Sequence, residues 1–140
     1  MGLRISSCVI ALIQRAAAEA APLEACGILF GTDGVERASV AANVSDDPAR
    51  RFEIDPGALI AALKAERGGG ERVIGYWHSH PSGDATPSAT DAAMAAADGK
   101  IWLIAAGDAV TAWRAGAGGL HGRFEDIEIE VALSASSPRA

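Results

Sequence analysis

The pattern of apolar and polar residues along the chain predicts short strands that alternate with helices. A first strand at residues 3–5 precedes a segment whose apolar residues recur at helical spacing and should face a sheet. These residues are Val9, Leu12, Ile13 and Ala16. The helix should end before Pro22, and the apolar run at residues 23–31 predicts a buried strand with one carboxylate, Glu24, at its edge.

Turn signals divide the middle of the chain. Asp33-Gly34 predicts a hairpin turn, and residues 35–42 should form the antiparallel partner of the buried strand. The polar residues 43–51 predict a loop. Asp55-Pro56 fits the N-cap and the first position of a helix. We expect that helix to carry three apolar residues inward, namely Leu59, Ile60 and Leu63.

The second half of the chain adds strands and one further helix. Strands are predicted at residues 72–77, 101–105, 110–114 and 126–133, the second of them a central strand because it is continuously apolar. The helix is predicted at residues 89–98, ending at Gly99, and the glycine-rich residues 116–119 predict a loose link. Hairpins and helices are intermixed, so the predicted class is α/β, a mixed sheet flanked by helices in one domain at residues 1–133. Residues 134–140 are predicted to be a flexible tail.

Composition and charge exclude several classes of protein. A chain of 140 residues suits a single domain. A net charge of −6 argues against a nucleic-acid partner, which needs a basic surface. No apolar run is long enough for a membrane span, and no signal peptide is evident, so we expect a cytoplasmic protein. Cys8 and Cys26 are too far apart for a paired-cysteine zinc site and are expected to be buried thiols.

Two histidines at the end of a predicted strand suggest metal chemistry. His78 and His80 are two positions apart, so in a strand both side chains point to the same face. Two imidazoles side by side can share one metal ion, and a catalytic zinc site needs one more protein ligand. Asp84 and Asp91 both follow closely. Asp91 is preferred, because the start of a helix favours an ionised carboxylate and supports it more rigidly than a loop.

Each of these residues also has a plain structural interpretation. Ser88 and Asp91 fit the capping-box pattern that begins many helices, and on local evidence the two interpretations are about equally good. His78 and His80 taken alone could simply be packed in the core. Glu24 alone is most simply a partly exposed residue at a strand end.

The residues taken together resemble the signature of a known family. His78 and His80, then Asp91 after residues 81–90, with Ser88 before the acid and Glu24 upstream, are similar to the motif of the JAMM metalloproteases of the MPN-domain superfamily. The resemblance extends over residues 3–133 and is closest to the small prokaryotic members. It implies a curved mixed sheet between helices, similar to the fold of the cytidine deaminases.

The resemblance also implies a role for each residue. His78, His80 and Asp91 would hold a zinc ion, Glu24 would be the general base toward the attacking water, and Ser88 would donate a hydrogen bond to the oxyanion. The implied reaction is hydrolysis of a peptide or isopeptide bond after the Gly-Gly tail of a ubiquitin-like protein.

The chain is too short to carry the long insertions that would clamp a full ubiquitin. Small prokaryotic members of the family look suited to trimming a C-terminal extension from a β-grasp sulfur-carrier protein, and the resemblance implies the same substrate class here. The alternative is a non-catalytic module that binds ubiquitin-like proteins, although members of that kind usually lack a ligand. A nucleotide deaminase is disfavoured, because the Pro-Cys-x-x-Cys ligand pair is missing.

Overall fold

The computed structural model describes residues 2–133, which form eight strands and three helices. The strands are β1 (Leu3–Ser6), β2 (Cys26–Phe30), β3 (Arg37–Ala38), β4 (Val73–Ser79), β5 (Ile101–Ala106), β6 (Ala109–Leu120), β7 (Phe124–Ile127) and β8 (Ile129–Ala132). The helices are α1 (Ser7–Ala20), α2 (Pro56–Arg67) and α3 (Ala89–Met94). The predicted α/β class is confirmed. The predicted tail at residues 134–140 lies outside the described residues.

Six strands form one mixed sheet in the order β3-β2-β4-β5-β6-β7, and β1 pairs with β8 in a small parallel sheet. Only β4 and β5 run parallel within the large sheet, and its other neighbouring strands are antiparallel. All residues of β5 are buried, as its continuous apolar sequence predicts. β4 therefore lies in the interior of the sheet, with neighbours on both sides.

Helices cover both faces of the sheet. On one face, Val9 and Ile13 of α1 pack with Leu29, Trp77 and Leu103. The other face carries an aromatic cluster, and α2 packs against it through three residues. That cluster includes Phe30, Phe52, Trp102 and Phe124, and the three helix residues are Leu59, Ala62 and Leu63. Because side chains alternate along a strand, His78 points to the aromatic face and Trp77 to the α1 face.

The structure confirms some expectations about individual side chains and corrects others. The predicted stripe of α1 is confirmed at Val9 and Ile13, which are buried. Cys26 is buried as expected, but Cys8 is exposed, because it lies in the first turn of α1 away from the buried stripe. Ile60 is also exposed, at 56%, because it lies beside the inward stripe of α2 and not on it.

Two strand predictions differ from the structure. Of residues 35–42, only Arg37–Ala38 form a strand, and the rest make isolated contacts, including a bridge from Val35 to Ile5 and one from Ala41 to Cys26. The predicted last strand divides at Glu128, whose carbonyl accepts the N–H of Leu3, so β7 stays in the large sheet and β8 pairs with β1. Val131 of β8 is consequently exposed.

Two further boundaries follow from packing that local sequence does not encode. α3 ends at Met94 because Ala95 is extended and buried in the aromatic cluster, which turns the chain toward β5. β6 continues to Leu120 through the glycines expected to form a loose link. The pairing of Leu120 with Phe124 of β7, across a bulge, supplies the hydrogen-bonding partner that keeps this segment extended. Among the described residues, no helix combines the length and apolar character needed to cross a lipid bilayer.

Gly27 on β2 gives a direct test of this packing. A Cβ there would overlap the Ser39 carbonyl oxygen and Trp77 Nε1, two atoms joined by a hydrogen bond of 2.8 Å. We expect Gly27→Ala to lower the free energy of unfolding by about 2–3 kcal/mol, measured by urea denaturation. Gly57→Ala, in the exposed first turn of α2, is the matched control and should have no effect or add up to about 1 kcal/mol. Equal losses in the two variants would contradict this account.

Candidate metal centre

β4 carries the first histidine into the interior of the sheet. His78 lies opposite Cys26 of β2 on one side and Ile104 of β5 on the other. His80 follows directly after the strand, and its backbone N–H donates to the Ala105 carbonyl at 2.9 Å. Both histidine backbones are therefore fixed by strand pairing.

The structure brings the two histidines and Asp91 together. His78 Nε2 lies 3.0 Å from His80 Nε2 and 3.1 Å from Asp91 Oδ2, and His80 Nε2 lies 3.0 Å from the same oxygen. All three residues are buried. Their ligand atoms form a nearly equilateral triangle with no other side chain between them.

A backbone carbonyl determines where the His80 ring carries its first proton. His80 Nδ1 lies 2.7 Å from the Asp84 carbonyl oxygen, which can only accept, so Nδ1 carries the proton. In a neutral imidazole, Nε2 then presents a lone pair to the Asp91 carboxylate and to His78. Such an arrangement needs a proton or a cation at its centre.

The charge states of these groups point the same way. At Asp91 burial favours the neutral form, but hydrogen bonds with His78 and His80 outweigh it and hold the pKa well below its usual range. Burial lowers the pKa of His78, so this imidazole is neutral. Burial also disfavours protonation of His80, yet the hydrogen bonds to Asp91 and to the Asp84 carbonyl raise its pKa. An ionised carboxylate thus draws positive charge into the triangle.

A divalent metal ion fits this set of donors. Two imidazole nitrogens and one carboxylate oxygen are the protein ligands of many catalytic zinc sites, which leave a fourth position open. Nitrogen ligands about 2.0–2.1 Å from a tetrahedral zinc lie about 3.4 Å apart, and the present separations of 3.0–3.1 Å are close to this value.

Asp91 combines the two roles that its sequence left open. Ser88 is the N-cap of α3, its Oγ accepts the Asp91 N–H at 3.0 Å, and Asp91 Oδ2 accepts the Ser88 N–H at 2.9 Å. The capping box is therefore present, and it also aims the carboxylate at the histidines. Asp84, the other candidate, turns its exposed carboxylate to Thr86 and contributes only its carbonyl to His80.

Glu24 lies next to this cluster although it is far away in sequence. Ser79 N–H donates to the Ala25 carbonyl at 3.0 Å, and Ala25 N–H donates to Ser79 Oγ at 2.8 Å. These bonds continue the contact of β2 and β4 by one position, and Glu24, the residue before Ala25, lines one cleft with His80. The strand pairing thus brings the carboxylate close to the cluster of His78, His80 and Asp91.

The environment of Glu24 is unusual for a carboxylate. Its side chain is buried, and Oε1 has no hydrogen-bond partner within residues 2–133. Burial raises the pKa of Glu24 to about 7, an effect opposed by His80 and reinforced by Asp91 and Asp47. A cation held by the cluster would act in the opposite direction. In the metal-free protein this carboxylate therefore exchanges a proton near neutral pH.

Glu24, His80 and Ser88 line one open cleft of about 250 Å³, together with Arg50. The five residues singled out in the sequence are thus His78, His80 and Asp91 in one buried cluster, and Glu24 and Ser88 on the wall beside it. The Ser88 hydroxyl oxygen is occupied by the Asp91 N–H, but its own proton remains available to donate.

Sequence patterns missed two residues at this site. Asn43, in a loop with no distinguishing signal, donates to the carbonyls of Glu24 at 2.9 Å and Arg51 at 3.1 Å. Its Oδ1 accepts the Glu53 N–H at 3.1 Å. Phe52 stacks on His78, with ring centroids 4.3 Å apart. Both contacts join segments distant along the chain, so the resemblance of residues 51–56 to the family does not reveal them.

Comparison with known proteins gives one family and several relatives. Residues 6–116 match the model of the prokaryotic homologs of the JAB domain. The chain is 33% identical over 103 residues to a desampylase of Haloferax volcanii, covering 71% of this chain and 74% of that protein. It is 41% identical over 71 residues to a probable TtuB-protein conjugate cleaving protease of Thermus thermophilus, covering 51% and 48% of the two chains.

The fold itself is similar to that of solved structures. A JAB1/MPN domain protein from Archaeoglobus fulgidus superposes with a TM-score of 0.60 at 22% identity, over 93% of this chain and 96% of that one. This likeness bears on the fold alone, and it confirms the sheet architecture expected from the sequence.

Asn43 gives a test of how the site is held together. Asn43→Ala leaves the Glu24 and Arg51 carbonyls without their donor, and we expect a loss of about 2–3 kcal/mol in the free energy of unfolding by urea denaturation. Asn43→Asp keeps the shape but faces those carbonyls with acceptor oxygens, and should be at least as costly. Thr32→Ala, in an exposed turn, should change stability by less than about 0.5 kcal/mol. If Asn43→Ala lowered the free energy of unfolding no more than Thr32→Ala, Asn43 would not hold the Glu24 and Arg51 segments together.

Proposed function

Because this chain belongs to the prokaryotic homologs of the JAB domain and is a protease of the JAMM type, we propose that it cleaves conjugates or extensions of a ubiquitin-like protein with the help of a zinc ion. The bond hydrolysed would be the one after a C-terminal Gly-Gly. We further propose that His78, His80 and Asp91 hold the zinc, and that Glu24 and Ser88 are the catalytic residues.

The observation that carries this proposal is the joint placement of the cluster and the carboxylate. Three potential ligand atoms converge within 3.0–3.1 Å of one another, and Glu24 lines the same cleft as His80. A binding module would need neither the convergent triangle nor a buried Glu24 Oε1 that lacks a hydrogen-bond partner within residues 2–133.

Glu24 has the properties of a general base. Its carboxylate lines the cleft, is largely withdrawn from water and has an oxygen free to accept a proton. It can take a proton from the attacking water and return it to the leaving amine. The Asn43 amide and the hydrogen bond between Ala25 and Ser79 hold its backbone. The carboxylate is therefore already in place before the reaction begins.

Ser88 is suited to donate a hydrogen bond to the oxyanion. Its oxygen is fixed by the Asp91 N–H, so its hydroxyl proton can turn toward the cleft. One such donor is worth about 3–4 kcal/mol in the transition state. The chemistry expected from a zinc ion held by the three ligands is activation of water and polarisation of the scissile carbonyl.

The proposed substrate follows from the relatives and from the cleft. The Haloferax volcanii relative is a desampylase, and the Thermus thermophilus relative is named for cleaving TtuB-protein conjugates. The cleft, at about 250 Å³, is smaller than the ~300–1,000 Å³ typical of pockets for small molecules. An extended segment of small residues, such as a Gly-Gly tail, suits such a space. A β-grasp sulfur-carrier protein is the substrate class we favour.

A pair of variants separates the base from the metal ligands. Glu24→Gln should abolish hydrolysis of a β-grasp carrier with a C-terminal extension, while bound zinc stays near one per chain, because Glu24 is not among the three converging residues. Asp91→Ala should lose both zinc and activity. Products are read by mass spectrometry and zinc by elemental analysis.

Two further measurements complete this test, namely hydrolysis in the presence of a chelator and hydrolysis of several different β-grasp carriers. Activity should disappear with chelator and return with added zinc. Full activity of Glu24→Gln would refute the assigned mechanism. A native protein without zinc that binds a carrier but cleaves none would favour the non-catalytic binding module.

A further inference from the structure

The two histidines of the cluster are held by different means. Metal-bound histidines usually donate their second ring N–H to a carboxylate, a carbonyl or water, which fixes the ring. His80 does so through the Asp84 carbonyl at 2.7 Å. His78 Nδ1 is buried and has no hydrogen-bond partner in the described part of the chain. Only the Nε2 side of this ring, which faces Asp91 and His80, has polar contacts, so the Nδ1 side must be held by packing.

Two aromatic side chains surround the His78 imidazole. Phe52 lies parallel to it, with centroids 4.3 Å apart and an interplanar angle of 19°. Trp102 meets it edge-on, at 5.7 Å and 87°, and also contacts Phe52 at 5.6 Å. Stacked and edge-to-face contacts of this kind favour particular ring orientations. Rotation of His78 about its side-chain bonds would break both contacts.

Phe52 is itself held firmly although it lies in a loop. The Asn43 side chain donates to the Arg51 carbonyl and accepts the Glu53 N–H, so one residue fixes the backbone on both sides of Phe52. Ile54 forms a bridge with Asn43 as well. Phe52 is 4% exposed and is therefore packed into the aromatic face of the sheet.

From this arrangement we infer that Phe52 is a positioning residue for the metal centre, which replaces the missing hydrogen bond of His78 by stacking. The inference rests on the proposed metal binding by His78, His80 and Asp91. In this role, Phe52 affects the affinity for the metal and the geometry of its ligands, and it does not contact the reacting atoms. Without the Phe52 ring, the His78 imidazole can rotate. Metal binding must then also order this imidazole, which lowers the affinity for the metal.

The test measures zinc affinity of the full chain, without any substrate. Phe52→Leu removes the ring but keeps an apolar side chain, and it should raise the zinc dissociation constant about tenfold or more, measured by competition with a chromophoric chelator. Phe52→Tyr keeps the ring and should bind more tightly than Phe52→Leu. In the cobalt-loaded protein, Phe52→Leu should also change the visible absorption bands, which report the ligand geometry.

Phe30→Leu is the matched control. Phe30 belongs to the same aromatic cluster and is 6% exposed, but its ring packs against the Arg37 guanidinium at 4.2 Å instead of a histidine. We expect both leucine variants to lower the unfolding midpoint of the metal-free protein, because both lose core packing. Only Phe52→Leu should weaken zinc binding and alter the cobalt spectrum.

The outcomes are distinct. Unchanged zinc affinity in Phe52→Leu, or an equal loss in Phe30→Leu, overturns the positioning role while the proposed function stands. A wild-type protein that binds no zinc overturns both.

Discussion

The register between β2 and β4 is the constraint on which this site depends. Pairing of Cys26 with His78, extended by Ala25 and Ser79, brings Glu24 beside His80. A slip of one residue would turn the histidines to the α1 face and separate them from Asp91, because side chains alternate along a strand. The buried position of β4 between two strands makes such a slip costly, since every residue of β5 is also buried.

The site places polar groups where burial disfavours them. His78 and Asp91 are almost fully withdrawn from water, and Glu24 Oε1 has no hydrogen-bond partner among the described residues. Such an arrangement costs free energy of folding unless a cation is bound, since each group is stabilised by positive charge. Binding of a metal ion would therefore stabilise the fold as well as supply the chemistry. The capping box at α3 already offsets part of this cost through the Ser88 and Asp91 hydrogen bonds.

Local patterns in the sequence predicted that His78, His80 and Asp91 lie together, and failed where distant segments meet. The spacing of His78 and His80 implied their common face, and the helix start at Ser88 favoured Asp91 over Asp84, the arrangement found in the structure. The link to Glu24 came only from resemblance to a family, because strand register cannot be obtained from one sequence.

Contacts between distant segments also explain the residues that were missed or misplaced. Asn43 and Phe52 act through bonds and stacking across the fold, and although residues 51–56 resemble the small prokaryotic members, the sequence assigned no role to either residue. The end of α3 and the length of β6 were wrong for the same reason, since burial of Ala95 and pairing with β7 override local propensity. The contacts between distant segments that hold the site in place could not be predicted from the sequence.

The most direct test of the central claim is the zinc K-edge X-ray absorption spectrum of the loaded protein, which measures the ligands themselves. The account predicts one zinc per chain with only nitrogen and oxygen neighbours at about 2.0–2.1 Å, and an imidazole signal corresponding to two histidines. In Asp91→Ala this bound zinc should be lost. A sulfur neighbour at about 2.3 Å, which would implicate Cys26 or Cys8, or an unchanged spectrum in Asp91→Ala, would contradict the account.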